Sequence, residues 1–96
     1  MIIDKGLSVG EVITIKLTSG EELLAILLEE GSTYLKVSKP RALTSTKEGG
    51  IGMVPFVFTI DPDKDVKIYR TTIIVAEPAE KEFARSYTSA TTGIIT

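Results

Sequence analysis

Apolar and polar residues alternate with a period of two through Val12–Leu17, where Ile13, Ile15 and Leu17 fall on one face and Val12, Thr14 and Lys16 on the other. That alternation predicts a strand with one face on a core. Thr18-Ser19-Gly20-Glu21 has the composition of a turn. The next run, Leu23–Leu28, is apolar at every position, with one small residue at Ala25. It predicts a strand buried on both faces or sharply bent. Glu30-Gly31-Ser32 turns the chain again, and Thr33–Val37 runs back as a third strand.

Lys39-Pro40-Arg41 marks an edge or a kink, because proline cannot donate to a ladder. Ala42–Thr46 extends the strand beyond it. Three glycines make Lys47–Gly52 a flexible turn, and Met53–Ile60 reads as a further strand, at an edge or bulged by Pro55. Asp61–Asp65 is a proline-containing turn. Val66, Ile68 and Arg70 then alternate with Lys67 and Tyr69, and Ile73-Ile74-Val75 is the most β-prone segment of the chain. Pro78 with Glu80 and Glu82 predicts a helix start, and the helix is expected to run to about Tyr87, with Phe83, Ala84 and Tyr87 on one face. Thr88–Thr96 is expected to be a flexible tail in which Ile94 and Ile95 are able to pair with a neighbour. Met1–Val9 is a short lead-in.

The segment Gly10–Val37 resembles the first motif of the Sm-like family: a strand, an apolar-x-x-Gly turn at Leu17 and Gly20, a long bent strand with a small residue at Ala25, and a third strand. Val66–Arg70, the turn Thr71-Thr72 and the strand Ile73–Ala76 are similar to the second motif. The two together cover a little over half the chain. The resemblance implies an all-β fold, a strongly bent five-stranded antiparallel barrel, here with a short C-terminal helix able to cap one open end. It also implies a homo-oligomeric ring, hexamer or heptamer, in which the last strand pairs with the next subunit and single-stranded RNA binds around the pore.

Carried over position by position, the base-stacking residue of the family matches Tyr34, its base-reading Asn matches Leu35, an upstream Asp matches Ser32 and its Arg matches Arg70, with Thr71 where the family has Gly. The expected RNA-binding set is therefore Tyr34, Arg70, Lys36, Thr71, Thr72 and Ser32. A base stacked on an aromatic gains roughly 1–3 kcal/mol whatever its identity, so weak base specificity is expected. The leucine and threonine at two family positions leave open a structural or protein-interaction ring that has lost RNA binding. Lys36, Lys39 and Arg41 read either as phosphate contacts or as protection of a strand edge against aggregation.

A chain of 96 residues fits a single domain. It contains no His, Cys, Trp, Asn or Gln, which removes the commonest general base, the thiol nucleophile and the amides that read base edges. No catalytic centre, metal site or cofactor is expected. Asp61, Asp63 and Asp65 imitate the opening of a calcium loop, but Val66 and Thr72 stand where such a loop needs Gly and Glu. A net charge of −2 argues against duplex DNA as a partner. The lack of a membrane-length apolar run or a leader over Met1–Gly10 predicts a soluble, cytoplasmic protein without membrane contact.

Overall fold

The computed structural model describes residues 6–92; the first half of the lead-in and the residues Ile94 and Ile95 lie outside them. Six strands and a terminal helix follow in order: β1 (Val12–Leu17), β2 (Glu22–Glu30), β3 (Tyr34–Ser45), β4 (Ile51–Pro55), β5 (Val66–Tyr69), a 3-10 turn (Arg70–Thr72), β6 (Ile73–Pro78) and α1 (Lys81–Thr92). All pairings are antiparallel. The sheet runs β4-β3-β2-β1-β6, with β5 attached to β3 off this path.

The period-two alternation of β1 predicts its burial correctly. Ile13, Ile15 and Leu17 are buried and join Leu23, Ala25, Leu27, Leu35, Val37 and Ile68 in one core. The apolar run in β2 is buried on both faces: Leu23, Ala25 and Leu27 enter that core, while Leu24, only 1% exposed, is buried outside it. Two register shifts bend β2 against β3, between Leu24 and Ile26 and between Leu27 and Glu29. A bulge adds local twist and reorients the strand, which lets a single sheet wrap around a small core.

The strand count is six rather than five, because the twelve residues of β3 are long enough to pair with two separate strands. Its first half, Tyr34–Val37, pairs with β5, and its second half, Arg41–Ser45, with β4. Nor is the sheet a closed barrel: among the described residues no ladder joins β6 to β4 or to β5. The strand expected over Met53–Ile60 ends at Pro55, and Phe58 beyond it is 78% exposed.

The two halves of β3 meet at Lys39, whose φ of 52° lies in the left-handed region that few side chains adopt and that is disfavoured before a proline. This kink is held from α1. The Tyr87 hydroxyl donates to the Lys39 carbonyl at 2.6 Å and lies 3.2 Å from that of Ser38, while the Lys39 ammonium donates to the Thr91 carbonyl at 3.5 Å. Thus α1 packs against the bend of β3 and does not cap an open end.

The helix also starts and ends later than Pro78–Tyr87. Pro78 is still in β6, opposite Ile13, and the helix is capped by Glu80, whose carboxylate accepts from the backbone N–H of Glu82 at 3.0 Å and of Phe83 at 3.3 Å. The expected tail is helical as far as Thr92. Thr88, Thr91 and Thr92 each turn their hydroxyl onto the carbonyl four residues back, at 2.8–2.9 Å, and so satisfy themselves within the helix.

Candidate nucleic-acid interface

The turn between β2 and β3 and the 3-10 turn after β5 are distant in sequence and adjacent in space, because β5 pairs with the start of β3. Tyr34 lies directly opposite Tyr69, and Lys36 opposite Lys67. Arg70 bolts the two turns together: its backbone N–H donates to the Thr33 carbonyl at 2.9 Å, its Nε to the Gly31 carbonyl at 3.0 Å, and its guanidinium lies 3.4 Å from the Glu30 carboxylate. Tyr34, Arg70, Ser32 and Lys36 therefore share one corner of the molecule. Thr71 is exposed beside them. Thr72 acts in the backbone instead, donating its hydroxyl to the Tyr69 carbonyl at 2.7 Å and accepting at its own carbonyl from the Thr18 N–H at 2.8 Å.

The Tyr34 ring is less available than its exposed neighbours. A Cβ on Gly31 would stand 2.6 Å from the ring, so Gly31 supports it with no space to spare, and the Lys67 ammonium sits 4.7 Å from the ring centroid. The Tyr34 hydroxyl donates to the Glu29 carboxylate at 3.0 Å, and that hydrogen bond raises the phenol above its ordinary pKa. Replacing Gly31 by Ala is expected to push the ring off its seat. The Tyr34 phenol then titrates closer to its ordinary value, seen by ultraviolet or NMR titration. Stability changes by no more than about 1 kcal/mol, because the reduced freedom of the unfolded chain offsets the lost contacts.

Leu35 has no access to a ligand. It is fully buried between Tyr34 and Lys36, with Ile68 as its cross-strand partner. Sequence reasoning missed Tyr69 and Lys67, which share the outward face with Tyr34 and Lys36 because cross-strand partners point the same way. Their alternation with Val66 and Ile68 was visible; that their strand lies next to β3 was not.

The other basic residues expected near this corner are occupied elsewhere. Arg41 donates to the Pro62 carbonyl at 2.6 Å and pairs with Asp63 at 3.0 Å. Asp61 in turn accepts from the Asp63 N–H at 2.9 Å, so this acidic loop closes on itself and on Arg41. Among the described residues no cluster of acidic side chains converges as metal ligands would.

A concavity of about 790 Å³ lies between the start of α1 and the turns at Ser19–Glu22 and Gly49–Ile51. Glu21, Glu22 and Glu80 line it against Lys16, a balance that repels phosphate. No helix among the described residues is long and apolar enough to cross a membrane. No protein-family model matches the chain, and a search of curated proteins gives no match.

Proposed function

We propose that this chain is a non-catalytic RNA-binding protein of the Sm-like type, acting in the cytoplasm as a homo-oligomeric ring of six or seven subunits with weak base preference. The observation that carries the reading is the hydrogen bond from Arg70 to the Gly31 carbonyl, which joins the two turns matching the family's RNA pocket and gathers Tyr34, Arg70, Ser32 and Lys36. Ring formation is supported by the outer edge of β6, which has no strand beside it among the described residues and carries Ile74 and Val75, 61% and 43% exposed. An apolar strand edge of this kind is a template for pairing, and a neighbouring copy would cover it. Bound RNA would be held mainly by charge and stacking, since Asn and Gln, the amides that read base edges bidentately, are absent from the chain.

A second reading, a structural or protein-interaction ring without RNA, is favoured by the engagement of Arg70 with Glu30 and Gly31, which leaves its guanidinium partly satisfied. Light scattering with and without uridine-rich and adenine-rich single strands separates the two. A hexamer or heptamer that gains mass with RNA supports the first; a ring indifferent to RNA supports the second. A monomer overturns the ring in both.

A further inference from the structure

Four residues form a square on the outward face of the β3–β5 pair. Tyr34 and Lys36 alternate along β3 with buried Leu35 and Val37, and Tyr69 and Lys67 alternate along β5 with buried Ile68. The square thus has an aromatic pair, Tyr34 opposite Tyr69, next to a cationic pair, Lys36 opposite Lys67. Like charges placed directly opposite each other destabilise a sheet. Retaining two ammonium groups there makes sense if an anion lies over them. Glu29, opposite Lys36, and Glu30, beside Arg70, offset part of that charge, so three cations face two carboxylates.

The two tyrosines differ in what surrounds them. Tyr34 has Gly31 against its ring and the Lys67 ammonium over it. Tyr69 is 55% exposed and, with Lys67, also borders a groove of about 330 Å³ whose other walls include Leu17, Phe56 and Thr72, with Ser19 and the single carboxylate of Glu21 at its polar side. A flat, exposed aromatic on the same face as Lys67 and bordering a largely apolar groove is suited to an unpaired base and its phosphate. Duplexes, with their bases stacked inside, have nothing to offer it.

We infer that Tyr69 is the base-stacking platform of this corner for single-stranded nucleic acid, with Lys67 and Lys36 contacting phosphate. Tyr34 is a positioning residue that holds the Lys67 ammonium in place through its ring. The inference rests on the RNA-binding reading above and reassigns the stacking role within it.

The test is a fluorescence-anisotropy titration of labelled hexaribonucleotides and hexadeoxyribonucleotides, on wild type and on variants whose folding is verified by thermal melts. Tyr69→Ala is expected to weaken binding about five- to 150-fold. Tyr69→Phe retains the ring and is expected to bind within about twofold of wild type. Lys67→Ala is expected to reduce the salt slope by about one. Tyr34→Ala is expected to change the slope as Lys67→Ala does, and Tyr34→Phe, which keeps the ring under Lys67, is expected to restore it. The ribo- and deoxyribo- arms show which sugar is accepted.

If Tyr69→Ala binds as wild type while Arg70→Ala binds weakly, the platform assignment is overturned and the RNA-binding reading stands. If wild type binds neither kind of strand, both are overturned.

Discussion

Tyr87→Ala lowers the stability of the protein by roughly 3–5 kcal/mol, the largest loss expected from a single truncation outside the main core. The side chain is fully buried, yet it is not part of the cluster formed by β1, β2, β3 and β5. Its ring anchors α1 to the sheet, and its hydroxyl serves the carbonyls of Lys39 and Ser38 at the kink of β3. Removing it takes away the helix contact and the donor that stabilises a left-handed lysine before a proline. For a domain of this size each kcal/mol shifts Tm by roughly 4–8 °C, so a fall of about 12–40 °C is expected in a thermal melt followed by circular dichroism. Tyr87→Phe removes only the donor and is expected to lose about 1–3 kcal/mol.

The same residue gives an alkaline signature. Burial raises the Tyr87 phenol from 10.0 to about 12, because the phenolate cannot be solvated there. Since the folded pKa lies above the unfolded one, this contribution is complete below pH 10 and is lost as pH rises toward 12. It amounts to something on the order of 2 kcal/mol. Wild type should therefore lose more stability across that interval than Tyr87→Phe does; equal losses would refute the assignment.

Leu35→Asn destabilises the fold by roughly 2.5–6 kcal/mol and confers no base preference. The Sm-like resemblance aligns this position with a residue that reads uridine, which suggests that an asparagine would restore recognition. Geometry opposes that. Leu35 is 0% exposed and faces Ile68 in the core. The substitution removes about 1.5–3 kcal/mol of apolar burial and places an amide where no described group offers it a hydrogen bond, for about 1–3 kcal/mol more. Urea denaturation measures the loss, and anisotropy with uridine- and adenine-rich strands tests preference. A stable variant with new uridine selectivity would show that Leu35 is misassigned to the core.

Much of the fold is legible from local pattern. The alternation at Ile13, Ile15 and Leu17 predicts the buried face of β1, and the unbroken apolar run Leu23–Leu28 predicts a strand buried on both faces or sharply bent; β2 is both. Both follow from the side-chain period of a strand, which is a property of neighbouring residues. The edge or kink expected at Lys39-Pro40-Arg41 is a kink at Lys39, legible because the missing N–H of proline is also a local property. The helix is legible in type and misplaced in extent. Its cap is Glu80 and not Pro78, because Pro78 is retained by β6 opposite Ile13; its end reaches Thr92 because threonine hydroxyls bond within the helix.

The candidate site divides in the same way. Tyr34 and Arg70 are picked out as candidates by motif spacing and Lys36 by sharing a strand face with Tyr34, but nothing local shows that Arg41 is drawn away by Asp63, 22 positions along the chain, or that Lys39 is tied to Thr91. Tyr69 and Lys67 acquire meaning only when β5 lies against β3.

By itself, then, the sequence determined most of the strand segments, the buried face of β1 and most of the turns, since these depend on contacts between residues close in sequence. Only the tertiary structure decided that one edge of β3 serves two strands, that the sheet stays open among the described residues, that α1 braces the bend, and that two tyrosines and two lysines meet on one face. Those are matters of which strand pairs with which. Pairing is settled by burial and hydrogen bonding across the whole chain, where many registers satisfy the same local pattern.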